Sequence, residues 1–231
     1  MKELMVILLL TCSLQSSSQS FFQEADQFFK QYVENGLVKY DQIKKDKTAL
    51  NDLVKKIGAF ELDNASKSEQ KAFYINAYNI LVIHHVMANY PAEGPLKIKG
   101  FFNELKARVA GADLTLDELE KKWLFKAFPD ERLHFVLVCA AMGCPPLADY
   151  AYLPEILEKQ LADRTKYVLN FPAFIRVNKD IVQVSKIFEW YEVDFLAKNE
   201  SVLTYIDQYH TQSLRGKKWS FYEYDWRLNK Y

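Results

Sequence analysis

The stretch "RLHFVLVCAAMGCPPL", residues 132–147, sets a thiol between Gly143 and two consecutive prolines, ten residues after His134. A proline after Cys144 pushes that cysteine towards extended backbone geometry, and the second proline stiffens the chain beyond it, so the sulfur is held in one direction. This is what a thiol nucleophile needs. Neither Pro145 nor Pro146 has an N–H, so an oxyanion hole cannot use the residue after the nucleophile. Its donors would be the Cys144 N–H and a side-chain amide. Asn76 and Asn79 are the candidates, three apart on one face of an otherwise apolar segment. Their alternative role is to tie loop backbone to that segment, since an unpaired buried amide costs about 1–3 kcal/mol. His134 is the candidate base.

A base needs a group to orient it. Glu118 completes a capping box with Thr115, which leaves Glu120, two residues on and on another helix face, free to turn inward and hold the imidazole. Each residue also has an ordinary reading: Cys144 as a small hydrophobe in a turn, His134 as a core histidine, Glu120 as a surface glutamate beside Lys121 and Lys122. Cys139 and Cys144 are close enough in sequence to pair, which would cap the thiol. His84 and His85 project about 100° apart on a helix and cannot clamp a metal together. Neither a metal nor an organic cofactor is expected.

The elements that must position these residues follow from periodicity. Residues 21–58 read as two helices joined by a turn, interrupted by the charged "DQIKKDKTAL". Ser66 to Glu69 is a helix-start signature, and "KAFYINAYNILVIHHVMANYP" behind it is apolar nearly all round, hence a central helix stopped by Pro91. "LTLDELEKKWLFKAF" is a second capped helix, and "LHFVLVCA" reads as a buried strand that encloses Cys139. "LPEILEKQLADRTKYVLN" is amphipathic, with Pro154 in its first turn. "FIRVNKDIVQVS" alternates about Asn178-Lys179 as a hairpin, and "KWSFYEYDW" is a closing strand. The fold class is α+β: a helix-rich single domain with a small antiparallel sheet.

Thirty basic and thirty acidic residues cancel, so no net field draws the chain to nucleic acid or anionic lipid. A peptide or small-molecule acyl substrate fits better. Lys2, the apolar run Leu4–Leu10 and the polar stretch ending at Ser20 read as a signal peptide over residues 1–20, too short to span a membrane. Cys12 offers a lipid anchor as the alternative terminus. The expected organisation is therefore signal peptide 1–20, N-terminal helical extension 21–60 and main domain 61–231, in a secreted or periplasmic protein.

Five segments in order, "FYINAYNILVIHHV", "LTLDELEKKWL", "DERLHFVLVCAAMGCPPL", "VSKIFEWYEVDF" and "YDWRLN", give the chain a resemblance to the domain of unknown function 547 family over roughly residues 66–229. The resemblance implies functional positions at Asn76, Asn79, Glu120, His134 and Cys144, and departs from the family pattern at Lys121, where a histidine is usual. It also implies a papain-like Glu–His–Cys site with its elements in permuted order, and a circularly permuted papain-like fold. The expected function is a cysteine-dependent hydrolase or acyltransferase acting on an amide, isopeptide or ester. The alternatives are a non-enzymatic envelope binding module and a thiol–disulfide protein using Cys139 and Cys144.

Overall fold

The computed structural model describes residues 18–231. Most of the expected signal peptide, and Cys12, fall outside the described residues. Helix α1 occupies residues 18–32 and runs across the Ser20–Phe21 junction. It buries Phe21, Phe22, Ala25, Phe28, Phe29 and Tyr32, the three- and four-residue spacing of one helical face. The elements after α1 correct the two-helix reading of residues 21–58. Strands β1 (Val33–Glu34) and β2 (Leu37–Val38) form a hairpin, and the charged stretch is itself helical in α2 (Tyr40–Lys45), ahead of α3 (Thr48–Ala59). The hairpin turns on Asn35 and Gly36, both at positive φ (54° and 82°), which is the Asn-Gly signature of a tight turn.

Helix α4 (Lys67–Ala88) is the central element, 22 residues long and buried without a break from Lys71 to Ile83. Ser66 Oγ accepts the Glu69 N–H at its start. A second hairpin, β3 (Lys106–Val109) with β4 (Ala112–Thr115), leads into the short α5 (Leu116–Glu118), where Thr115 and Glu118 form the expected capping box. The helix then widens into a π-helical stretch, Leu119–Phe125, packed on α4. That widening places Glu120 off the regular α pattern.

"LHFVLVCA" is not a strand. Glu131–Phe135 is a 3-10 turn capped by Asp130, whose Oδ1 accepts the Arg132 N–H, and the backbone beyond it is irregular. The partners a neighbouring strand would have given come from one side chain: Asn79 Nδ2 donates to Val136 O at 2.9 Å and its Oδ1 accepts the Val138 N–H at 3.0 Å. Helix α6 (Leu157–Leu169) enters through a 3-10 turn opened by Pro154 and packs against Glu131–Phe135.

Strands β5 (Ile175–Asn178) and β6 (Ile181–Val184) are the antiparallel hairpin read from sequence, with Lys179, not Asn178, at positive φ (36°). Strand β7 (Lys218–Phe221) adds to β6 in parallel, making a mixed three-stranded sheet. Helices α7 (Ile187–Trp190), α8 (Glu192–Leu196) and α9 (Val202–Asp207) lie between. One apolar core runs from Phe21 to Leu228, so residues 21–60 and the rest of the described chain share it. The class is α+β and helix-rich, as expected. No helix among the described residues is long and apolar enough to cross a membrane.

Candidate functional site

Glu120, His134, Cys139 and Cys144 line a single cavity of about 380 Å³, walled by aromatic rings that include Trp190, Tyr191 and Tyr224. The loop "CAAMGC" brings both sulfurs to it. The C-terminal segment pins this loop from outside: Asn229 N donates to Ala140 O, Met142 N to Arg227 O and Gly143 N to Asp225 O, all at 2.8–2.9 Å. Gly143 is required, because a Cβ there would meet the Tyr224 ring at 2.8 Å and the Asp225 nitrogen at 2.9 Å. Ala140 sits at φ 64°, a left-handed conformation that costs an alanine of order 1 kcal/mol and that the tail contact holds in place. The other side of the loop is set by hairpin β1–β2, whose Gly36 lies against Pro146 so closely that a Cβ would stand 2.4 Å from the proline's own.

Within the loop, Cys139 and Cys144 are joined in a disulfide with Cα atoms 6.4 Å apart. The Cys144 sulfur also receives the Cys139 N–H at 3.0 Å and the Tyr224 hydroxyl at 3.1 Å. Both contacts place positive hydrogens on the sulfur that would carry charge as a thiolate. Of the two cysteines it is Cys139 that is partly exposed and Cys144 that is buried, the reverse of what the strand reading implied.

His134 is carried by the 3-10 turn and buried between the rings of Phe125 (4.5 Å) and Tyr191 (4.1 Å). Burial pushes its pKa down to about 4, against an opposing pull from Asp194. The imidazole is therefore neutral at physiological pH. Its Nε2 lies 2.8 Å from Asp194 Oδ2 on α8. With that carboxylate ionised, Nε2 carries the hydrogen and Nδ1 keeps the basic lone pair.

Glu120 was expected to hold this imidazole, and its partners are others. Its carboxyl accepts the Tyr191 hydroxyl at 3.2 Å, and Tyr78 on α4 lines the same cavity. Burial raises its pKa, and the Tyr191 hydroxyl offsets part of that rise. Tyr191 thus touches both groups, its hydroxyl on Glu120 and its ring against His134, while Asp194 takes the orienting position. Neither Asp194 nor Tyr191 was singled out from sequence, although both lie in "VSKIFEWYEVDF". A carboxylate three residues after a tyrosine in that segment was the available signal.

Asn76 and Asn79 do not line the cavity. Asn76 Nδ2 donates to Ala72 O and Tyr152 O, and its Oδ1 accepts the Tyr152 N–H at 2.9 Å. With Asn79 held by Val136 and Val138, both amides are spent on backbone. The Cys144 N–H donates to Ala141 O at 3.1 Å. The oxyanion donors expected from sequence are thus engaged elsewhere, and the hydroxyls of Tyr78 and Tyr224 are donors that the cavity does offer. His85 is buried beside Phe101, with its pKa pushed down by burial to about 4. Among the described residues no cluster of three His, Cys, Asp or Glu side chains gathers to hold a metal ion.

This is an α+β domain with a cysteine-bearing cavity that its C-terminal segment helps to line through Tyr224 and Trp226. Residues 62–168 match the family described as "Protein of unknown function, DUF547", and this segment carries Asn76, Asn79, Glu120, His134 and Cys144. No curated protein and no solved structure matches the chain.

Proposed function

We propose that the chain is an exported cysteine-dependent hydrolase or acyltransferase acting on an amide, isopeptide or ester, with Cys144 Sγ as the nucleophile. The convergence of Glu120, His134 and Cys144 on one aromatic-walled cavity carries this reading. A dithiol reductant first opens the Cys139–Cys144 disulfide, its two thiols becoming a disulfide as the protein's become thiols. His134, neutral and oriented by Asp194, then takes the Cys144 proton through Nδ1 as the sulfur attacks the acyl carbon. Tyr224, with Tyr78 across the cavity, donates to the developing oxyanion. The leaving amine or alcohol departs with the proton, and water or an acceptor amine cleaves the thioester. Glu120, accepting the Tyr191 hydroxyl, positions the Tyr191 ring against His134.

The test is an activated ester such as p-nitrophenyl acetate offered to the reduced protein. A stoichiometric burst of nitrophenol with an acetyl adduct on Cys144, absent from Cys144→Ala, is expected; hydrolysis that persists in Cys144→Ala would refute the proposal. The disulfide itself favours a second reading, a thiol–disulfide exchange protein. That reading predicts rapid reduction of a mixed disulfide substrate by the reduced protein and no acyl adduct. The exported location rests on the Leu4–Leu10 apolar run, and intact mass in the native host checks it: a mature chain starting near Phe21 or at an acylated Cys12 supports export, and a retained Met1 contradicts it.

A further inference from the structure

Helix α6 turns Leu157, Leu161, Arg164 and Val168 towards the interior, positions along one helical face. An arginine thus occupies a slot in an otherwise apolar stripe. Arg164 is only 7% exposed, and its Nε and Nη2, the two nitrogens along one side of the guanidinium, are sealed from solvent without a hydrogen-bond partner. The hydroxyl of Tyr152, within electrostatic reach of Arg164, is sealed and unpartnered as well. Donors gather here without an acceptor.

The neighbouring acids do not supply one. Asp163 lines the same cavity as Arg164 but is paired with Lys159, and no hydrogen bond joins it to Arg164. Arg132 shows what a satisfied arginine looks like in this fold: it forks onto Asp130 through Nε and Nη2 at 2.9 and 2.7 Å and reaches Glu158 with Nη2. What Arg164 has instead is the Tyr167 ring, 4.8 Å from its central carbon. A cation–π contact is a weaker term than the desolvation of a buried unpaired charge.

Arg164 also lines a cavity of about 590 Å³ with Pro146, Leu147, Tyr150 and Gln160, and among the described residues it is the one basic side chain there against two acids, Asp149 and Asp163. Pro146 and Leu147 wall this cavity, while Cys144, two residues before Pro146, lines the thiol cavity. The half-exposed Tyr167 lines the same cavity as Arg164, with its ring against the guanidinium.

We infer that this second cavity is an oxyanion-binding site, in which Arg164 receives two oxygens of a carboxylate or phosphate side-on through Nε and Nη2 as the Tyr167 ring turns aside. A planar pair of acceptor oxygens matches that edge of the guanidinium. The site is independent of the thiol chemistry and works with the disulfide closed.

The test is an NMR titration of the oxidised protein, following the Arg164 Nε–H resonance assigned through bonds from the α6 backbone. N-acetylglycine, its uncharged amide and inorganic phosphate are the probes, with sodium chloride as the ionic-strength control. A saturable shift with N-acetylglycine or phosphate, absent with the amide and with chloride, is expected, and the arm that saturates identifies the carboxylate or the phosphate as the ligand group. Arg164→Gln should weaken binding at least about tenfold, the loss of a charge-assisted pair, and should remove the ligand-dependent rise in Tm. A purely structural guanidinium gives no saturable shift with any probe, or binding unchanged in Arg164→Gln. Either result would overturn the site, and the first is read on the unsubstituted protein whether or not the variant folds.

Discussion

Adjacent residues of helix α4 serve two differently built regions. Asn79 is matched entirely to backbone, closing onto Val136 O and Val138 N, and Asn76 does the same at Tyr152. Tyr78, one residue before Asn79, lines the thiol cavity with Glu120, which accepts from Tyr191, whose ring packs on His134, which pairs with Asp194. Backbone groups cannot change protonation, so the asparagine region fixes a shape and nothing else. The tyrosine region is built from groups that titrate, and burial pushes Glu120 and His134 towards their neutral forms. The first region shapes the loop from which the second draws its histidine and cysteines.

The largest expected effect lies in the asparagine region. Asn79→Ala leaves the Val136 carbonyl and the Val138 N–H buried and unpaired, at about 1–3 kcal/mol for each group. Denaturant unfolding should show a loss of a few kcal/mol. A change within the scatter of surface substitutions would break the comparison at its rigid end.

The next effect is a pH dependence. His134 has a folded pKa of about 4, below its ordinary value near 6.5. Between those values the unfolded chain binds more protons, so the stability due to a neutral buried imidazole is complete above 6.5 and is lost as pH falls towards 4. His134→Gln should flatten that part of the profile. Asp130 supplies a second window: although burial opposes ionisation, Arg132 and Lys71 hold its pKa to about 2, against an ordinary value of 3.8. Its contribution is present above 3.8 and lost as pH falls through 2, and Asp130→Asn should remove that acid limb alone.

The smallest effect sharpens the wiring around Glu120. Tyr191→Phe removes one hydroxyl that favours the ionised carboxylate, so the Glu120 pKa should rise further while stability changes by about 1 kcal/mol or less. Carboxyl carbon shifts in an NMR titration report it. An unmoved Glu120 pKa would detach Tyr191 from the chain of contacts.

Much of the architecture could be read from local pattern. The capped, all-apolar α4, the Thr115–Glu118 box and the alternating hairpin at residues 175–184 are properties of neighbouring residues and survive in the structure. What could not be read locally depends on distant partners. "LHFVLVCA" has strand composition, but its backbone is satisfied by Asn79, 57 residues before Val136. The candidate site divides in the same way: its cysteines and histidine were visible as residue types, whereas Asp194, 60 residues from His134, is assigned only by the fold. The Asn35-Gly36 hairpin is a different case, a local signal present in the sequence and absorbed into a helical reading.

The central claim is that His134 activates Cys144 once the disulfide is open, and the pH dependence of Cys144 alkylation in the reduced protein tests it most directly. With iodoacetamide and mass-spectrometric localisation, Cys144 should react with an apparent pKa well below the free-cysteine value of about 8.5. His134→Ala should move that pKa back towards 8.5 and slow the reaction at neutral pH, with Asp194→Asn producing a smaller shift in the same direction. A Cys144 that titrates as an ordinary thiol in the reduced protein, with a profile indifferent to His134→Ala, would contradict the account.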